Sequence, residues 1–113
     1  MFNSPFNRGP QAAETTVADT VSTRASGAAQ ILDVREPDEW AEGHIPGAVH
    51  IPLGSLPART GELDSSVPVI VVCRSGVRSL TGADILLKAG FDDAKSLAGG
   101  MLDWAAAGQP IER

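Results

Sequence analysis

The sequence predicts an α/β fold in which helices cover both faces of a parallel sheet. Short β-branched and apolar runs alternate along the chain with stretches in which apolar residues recur every three or four positions. Glycine and proline stand at the boundaries between these segments. Since strands that alternate with helices are joined by right-handed crossovers, we expect the strands to be parallel.

The first part of the chain is predicted to hold a tail followed by two strands and a helix. Residues 1–13 are rich in Asn, Pro, Gly and Gln, which is typical of a flexible N-terminal tail, so the folded domain is placed at residues 14–113. Residues 15–25 suit a short strand and a short helix, and residues 30–34 suit a longer apolar strand.

An acidic cluster marks the start of the next helix. Pro37 stands early in this helix, where its fixed φ angle is compatible with helical backbone. Glu36, Asp38 and Glu39 surround it, and we interpret them as charges that compensate the helix dipole. Gly43 is expected to end the helix.

The second part of the chain continues the alternation of strands and helices. The β-branched run at residues 69–72 is typical of a strand that is buried on both faces. The other predicted elements are strands at residues 48–51 and 94–97 and helices at residues 56–63, at residues 77–89 and after Gly100.

Composition and charge limit the functions open to this chain. Its 113 residues suit one domain, and 42% hydrophobic and 20% charged residues are ordinary for a globular protein. A net charge of -5 argues against nucleic acid or an anionic membrane as a partner. No apolar run approaches the roughly 20 residues of a membrane-spanning helix, and residues 1–6 lack a secretion signal. A single cysteine fits a reducing compartment, so the expected location is cytoplasmic.

Cys73, the single cysteine, is the leading candidate for chemistry. It directly follows the strand at residues 69–72 and precedes a helix, so its thiol faces unpaired amides at the positive end of that helix. Such an environment favours a thiolate nucleophile, whereas the alternative is a buried structural cysteine. Residues 73–79 contain two arginines and no acid in a chain that is acidic overall, which favours chemistry.

The residues after Cys73 suit the binding of a small anion. Arg74 and Arg78 can hold an oxyanion, the hydroxyl groups can hydrogen-bond sulfur or a substrate oxygen, and Gly76 allows close approach of the backbone. Backbone amides of the loop can form a nest around the sulfur atom. The predicted site comprises the catalytic Cys73 and the substrate-binding residues Arg74, Ser75, Gly76, Val77, Arg78 and Ser79.

Other polar residues are interpreted as structural. Asp33 and Arg35 follow a strand expected to lie beside that of Cys73, so they either border the pocket or form an ion pair, and we favour the ion pair. His44 and His50, with one distant cysteine, make no recognisable zinc spacing, so no metal site is expected.

Three stretches of the chain together resemble a known family. Residues 73–79 resemble the active-site loop of rhodanese-type sulfurtransferases, residues 32–48 resemble the early signature of these proteins, and residues 97–104 the late one. The resemblance covers about residue 15 to the C-terminus. It implies a single-domain, three-layer fold with a five-stranded parallel sheet. It also implies that Cys73 carries a sulfane sulfur as a persulfide, without a cofactor.

The length of the loop separates this family from phosphatases of the same fold. Arg78 follows Cys73 by five positions, whereas cysteine phosphatases have their phosphate-binding arginine six positions after the cysteine. A shorter loop fits sulfur better than phosphate or arsenate. The alternatives kept open are a non-enzymatic sulfur carrier or sensing module and, less favoured, a phosphatase or arsenate reductase.

The expected donor is thiosulfate and the acceptor is external. Arg74 resembles the pattern of thiosulfate-using enzymes, although Arg78 replaces the threonine usual in the two-domain members. Because the chain has no second cysteine, the persulfide must pass its sulfur to cyanide, a small thiol, a thioredoxin-like protein or another sulfur-acceptor protein.

Overall fold

A single parallel sheet organises the computed structural model, which describes residues 12–113. The five strands are β1 (Ala13–Thr15), β2 (Gln30–Asp33), β3 (Val49–His50), β4 (Val69–Val72) and β5 (Ala94–Leu97). They lie in the order β1-β5-β4-β2-β3, and every neighbouring pair is parallel. The parallel sheet is therefore confirmed. Residues 1–11 of the predicted N-terminal tail (residues 1–13) lie outside the described residues. The last residue of that predicted tail, Ala13, is the first residue of β1.

Within the described range, four α-helices connect these strands and a fifth follows β5. They are α1 (Val17–Ala25), α2 (Pro37–Glu42), α3 (Leu56–Arg59), α4 (Arg78–Lys88) and α5 (Gly100–Ala106). The single helix predicted at residues 56–63 is divided, because α3 gives way to a 3-10 turn at Thr60–Glu62 that contains Gly61. No helix of residues 12–113 is long and apolar enough to cross a membrane.

The central strand β4 supplies side chains to two separate cores. Val69 and Val71 pack into one core with residues of α3 and α4, while Ile70 and Val72 pack into the other with residues of α5. All four valine and isoleucine side chains of β4 are buried, as the β-branched run predicts. Helices on both faces give three layers, so the predicted α/β architecture is confirmed.

The order of the strands brings the ends of β2 and β4 together. Asp33 in β2 is in register with Val72 in β4, so both strands end at the same edge of the sheet. Cys73 follows Val72 and α4 begins at Arg78. The segment between β4 and α4 is therefore a loop at the carboxyl edge, which is where ligands bind in parallel sheets.

Candidate active site

The thiol of Cys73 lies beneath its loop and receives hydrogen bonds from it. The residue is 1% exposed and belongs to the core on the α4 side of the sheet. The backbone N–H of Gly76 donates to Sγ at 3.1 Å, and Sγ lies 3.3 Å from Oγ of Ser79, in the first turn of α4. Cys73 is therefore a buried thiol with specific polar partners.

These partners decide the ionisation of Cys73. Burial raises the pKa of the thiol, but the Ser79 hydroxyl and the backbone amides of Ser79, Gly76 and Ser75 lower it by more. The net pKa is below the usual value of the thiol. Because hydrogen bonds to the charged form favour that form, the loop stabilises a thiolate, the nucleophilic state of cysteine.

Gly76 allows the loop to pack closely against the segment before α5. Its φ angle is +103°, in the region that favours glycine. A Cβ atom here would lie 3.1 Å from the backbone nitrogen of Gly99 and 3.4 Å from the carbonyl oxygen of Leu97. The tip of the loop faces outward, where Arg74, Ser75 and Val77 are exposed. The loop thus has a buried side that faces the sulfur and an open side that faces solvent.

The start of α5 holds the backbone of the same loop. The N–H of Met101 donates to the carbonyl oxygen of Cys73 at 2.8 Å, and the N–H of Leu102 donates to that of Arg74 at 3.1 Å. Two orphan amides of a helix N-terminus are thereby paired. The late sequence signature, residues 97–104, therefore supports the loop through its backbone.

Arg78 is held by an acidic partner that the sequence did not single out. Its guanidinium donates to both carboxylate oxygens of Glu39 in α2, at 2.7 and 2.8 Å. The hydrogen bond from Arg78 is the main reason that the pKa of Glu39 falls to about 2, against an opposing effect of burial. Compensation of the helix dipole is therefore only part of the role of Glu39, which also binds Arg78. Within residues 12–113 the side chain of Arg74 has no such partner.

The ion pair of Glu39 and Arg78 should make stability depend on pH. A carboxylate whose pKa is lowered from 4.5 to about 2 on folding stabilises the protein fully above pH 4.5 and loses this effect as the pH falls towards 2. We expect Glu39→Gln to lower the free energy of unfolding by about 1 kcal/mol at pH 7, and the difference from wild type to shrink between about pH 4.5 and pH 2. Urea unfolding across this range measures it.

A second arginine–carboxylate pair provides the control. Arg59 and Glu62 also form a two-point contact, at 2.6 and 2.9 Å, but the side chain of Glu62 is 48% exposed whereas that of Glu39 is 22% exposed. Glu62→Gln should therefore have a smaller effect on unfolding. Equal effects of the two substitutions at every pH would contradict a specific role for Glu39.

Ser96 in β5 is a polar neighbour of the site that sequence reasoning missed. Its Oγ lies 2.6 Å from Oγ of Ser79 and 3.4 Å from the carbonyl oxygen of Gly76, and both serines are fully buried. The only local signal was a serine at an inward position of a short strand. A buried polar side chain in a strand core must find a partner, and here the partner is the residue that contacts Cys73.

Asp33 and Arg35 form a buried ion pair beside the site. Nη2 of Arg35 donates to Oδ2 of Asp33 and to the carbonyl oxygen of Gly43, both at 2.7 Å. Both side chains are at least nine-tenths buried. Arg35 also lines a cavity of about 270 Å³ together with Arg74. The pair therefore anchors the turn after α2, and Arg35 stands at the border of a cavity next to the loop.

Both histidines contact a backbone carbonyl oxygen through a ring nitrogen, and both stack on Trp40. Nδ1 of His44 lies 2.9 Å from the carbonyl oxygen of Trp40, and Nε2 of His50 lies 2.7 Å from that of Arg35. The Trp40 ring stacks on His44 at a centroid distance of 3.5 Å. Within residues 12–113, no three metal-ligating side chains are grouped as a site.

Comparison with known proteins relates this geometry to one family. A family model described as the rhodanese-like domain matches residues 16–107. YrkF, a candidate sulfur carrier protein of Bacillus subtilis, is 45% identical over 74 residues, which are 66% of this chain and 40% of YrkF. The thiosulfate sulfurtransferase GlpE of Shewanella oneidensis is 35% identical over 92 residues, which are 81% of this chain and 91% of GlpE.

Solved structures agree with the sequence comparison. A rhodanese-related protein from Thermoplasma volcanium superposes with a TM-score of 0.81 at 28% sequence identity, over 88% of this chain and 97% of that chain. The family model covers most of the chain, and the resemblance carried by its three motifs is confirmed. The chain therefore belongs to the rhodanese-like domain family of sulfurtransferases and sulfur carriers.

Proposed function

We propose that this chain is a thiosulfate-type sulfurtransferase that carries sulfane sulfur as a persulfide on Cys73. One observation carries the proposal. A loop amide and the Ser79 hydroxyl converge on Sγ of a cysteine in the loop that leads into a helix. This arrangement suits a thiolate that must attack sulfur and then serve as a leaving group.

The first half-reaction loads the sulfur. The Cys73 thiolate attacks the outer sulfur of thiosulfate, a new S–S bond forms, and the S–S bond of thiosulfate breaks with its electron pair leaving on sulfite. The products are sulfite and the Cys73 persulfide. The amides of residues 74–79 would cradle the negative outer sulfur, because a ring of backbone N–H groups binds anions.

The second half-reaction transfers the outer sulfur of the Cys73 persulfide to an acceptor. A nucleophilic acceptor attacks the outer sulfur, and the Cys73 thiolate leaves with the electron pair of the persulfide bond. Cyanide gives thiocyanate, and a thiol gives a new persulfide on the acceptor. Since Cys73 is the single cysteine, no internal thiol competes for the sulfur, and the acceptor comes from outside the chain.

The charge of Arg74, which has no carboxylate partner within residues 12–113, favours a small anionic donor at the mouth of the loop. Arg74 is exposed and borders the adjacent cavity, whereas the charge of Arg78 is compensated by Glu39. We therefore assign recognition of thiosulfate chiefly to Arg74, with Arg78 in a supporting role. The name of GlpE, a relative over most of its length, supports thiosulfate as the donor class.

Turnover with thiosulfate and cyanide tests the proposal. We expect continuous formation of thiocyanate and, without cyanide, a mass gain of one sulfur atom on Cys73. Persulfide loading without turnover to cyanide or thiols would instead support a sulfur carrier, the function named for YrkF. Hydrolysis of an aryl phosphate or reduction of arsenate, with no persulfide formed, would refute the proposal in favour of a phosphatase or arsenate reductase.

Arg74→Ala should weaken binding of the donor more than the chemical step. Loss of one charge-assisted contact to a dianion at an exposed site is worth about 1 to 1.5 kcal/mol, which corresponds to roughly a tenfold rise in KM for thiosulfate. The kcat value should change much less, because Arg74 is absent from the contacts of Sγ. Steady-state kinetics with thiosulfate as the varied substrate measure both constants.

Arg59→Ala is the matched control for Arg74→Ala. The side chain of Arg59 is 40% exposed, but its partner is Glu62 and it lies in α3, away from the loop. The substitution Arg59→Ala removes the same formal charge without altering the site, so the KM for thiosulfate should remain close to that of wild type. Equal changes in KM for the two variants would show that overall charge, and not Arg74, attracts the donor.

A further inference from the structure

A chain of buried hydroxyl groups extends from Cys73 into the sheet. From Sγ it passes to Oγ of Ser79 at 3.3 Å, to Oγ of Ser96 at 2.6 Å and to the carbonyl oxygen of Gly76 at 3.4 Å. Both serines are 0% exposed. The chain returns to the loop in which it began, since the N–H of Gly76 also donates to Sγ.

The direction of these hydrogen bonds depends on the state of the sulfur. In the thiol form, the Cys73 S–H donates to Ser79, Ser79 donates to Ser96, and Ser96 donates to the carbonyl of Gly76. Each hydroxyl has one proton, so this is the arrangement in which every proton has an acceptor. Carbonyl oxygen cannot donate, which fixes the direction at Gly76.

Ionisation of the sulfur reverses the chain. A thiolate accepts only, so the Ser79 hydroxyl must turn towards Sγ. Ser79 then needs a donor for its own oxygen, and Ser96 is the residue in reach, at 2.6 Å. Ser96 gives up only its 3.4 Å contact with Gly76, which is the longest and weakest hydrogen bond of the chain. The reversal therefore exchanges a weak bond for a hydrogen bond that Ser79 donates to a charged sulfur.

We propose that Ser96 is a positioning residue that acts through Ser79 to stabilise the ionised form of Cys73. Rotation of its hydroxyl from Gly76 to Ser79 polarises the hydrogen bond that Ser79 donates to sulfur, as hydrogen bonds in series strengthen one another. This role of Ser96 rests on the proposed function in one respect, namely that the Cys73 thiolate is the group that attacks sulfur and later leaves.

Charged groups stand near the loop and do not depend on the hydroxyl of Ser96. They are Arg74 in the loop, Arg78 at the start of α4, Glu39 of α2, which pairs with Arg78, and the Asp33–Arg35 pair after β2. Substitution of Ser96 leaves all of these charges in place. A shift in the titration of Cys73 on loss of the Ser96 hydroxyl would thus report on the hydroxyl chain.

The test is the pH dependence of the alkylation of Cys73 by iodoacetamide, an uncharged reagent. In Ser96→Ala we expect the profile to move upward by about half to one pH unit, and the rate below the pKa to fall about three- to tenfold. Ser96→Thr, which keeps the hydroxyl, should restore the wild-type profile. Alkylation needs no sulfur donor, so this result stands apart from success or failure of thiosulfate turnover.

Two controls separate positioning from stability. Thr20→Val removes another fully buried hydroxyl, one that donates to the carbonyl of Thr16, and should change unfolding without moving the alkylation profile. In a Ser79→Ala background, Ser96→Ala should have no further effect on the profile, because its link to sulfur is already lost. A Ser96→Ala profile that overlays wild type, or a full additional shift without Ser79, would overturn the proposal.

Discussion

Cys73→Ser is expected to abolish the formation of thiocyanate from thiosulfate and cyanide while the fold persists. A serine hydroxyl is scarcely ionised at neutral pH and forms no stable bond to sulfane sulfur, so we expect a loss of at least about a thousandfold in rate. The substituted oxygen can still accept the Gly76 amide and contact Ser79, the two partners of Sγ. Colorimetric detection of thiocyanate measures the rate.

Two further measurements make this result specific to the sulfur atom. The mass of Cys73→Ser should not increase after treatment with thiosulfate, whereas wild type should gain one sulfur atom. Circular dichroism and thermal unfolding should show a folded protein, because the change is nearly isosteric at a position that is 1% exposed. Retention of full activity by a folded Cys73→Ser protein would refute the covalent mechanism.

Local patterns in the sequence were sufficient for most of the fold. The predicted strands at residues 69–72 and 94–97 coincide with β4 and β5. Their β-branched and apolar runs lie between turn residues, and a central strand buried on both faces needs such a run. The strand predicted at residues 48–51 is shorter, Val49–His50, because within residues 12–113 β3 is an edge strand that pairs with β2 alone.

Local sequence patterns did not predict which residues from distant segments contact each other. Glu39 and Arg78 are 39 positions apart, and Ser79 and Ser96 are 17 positions apart. Periodicity predicts which face of an element is buried, but it does not predict which side chains meet across neighbouring strands. The position of Glu39 in the first turn of a helix already explained its charge, so the sequence offered no reason to look for a distant partner. Ser96 had almost no local feature that indicated a role.

The pairing of Glu39 with Arg78 changes the electrostatic interpretation of the loop. From the sequence, residues 73–79 carry two positive charges and no negative one. In the fold, α2 brings the carboxylate of Glu39 to Arg78, so this pair is locally neutral while Arg74 remains exposed. If the proposed function holds, an Arg78 whose charge is compensated by Glu39 suits the release of sulfite, because a second unpaired guanidinium would hold that dianion more tightly.

Gly100→Ala should disrupt the loop from the side that packs against α5. Gly100 has a φ angle of +54°, and a Cβ atom there would collide with the carbonyl oxygen of Cys73 and lie 2.6 Å from that of Arg74. Both obstacles are backbone atoms, which cannot move aside without displacing the loop. We expect a loss of about 2 to 4 kcal/mol in the free energy of unfolding, measured by urea denaturation.

The same substitution should impair persulfide formation even in the molecules that remain folded. The N–H groups of Met101 and Leu102 hold the carbonyls of Cys73 and Arg74, so a shift of α5 relative to the loop moves the amides that face Sγ. Gly61→Ala is the control, since its Cβ would meet no atom within 4 Å and its φ angle is outside the left-handed region. If the two variants unfolded at the same urea concentration and loaded sulfur equally fast, the close approach of α5 would have no role in shaping the site.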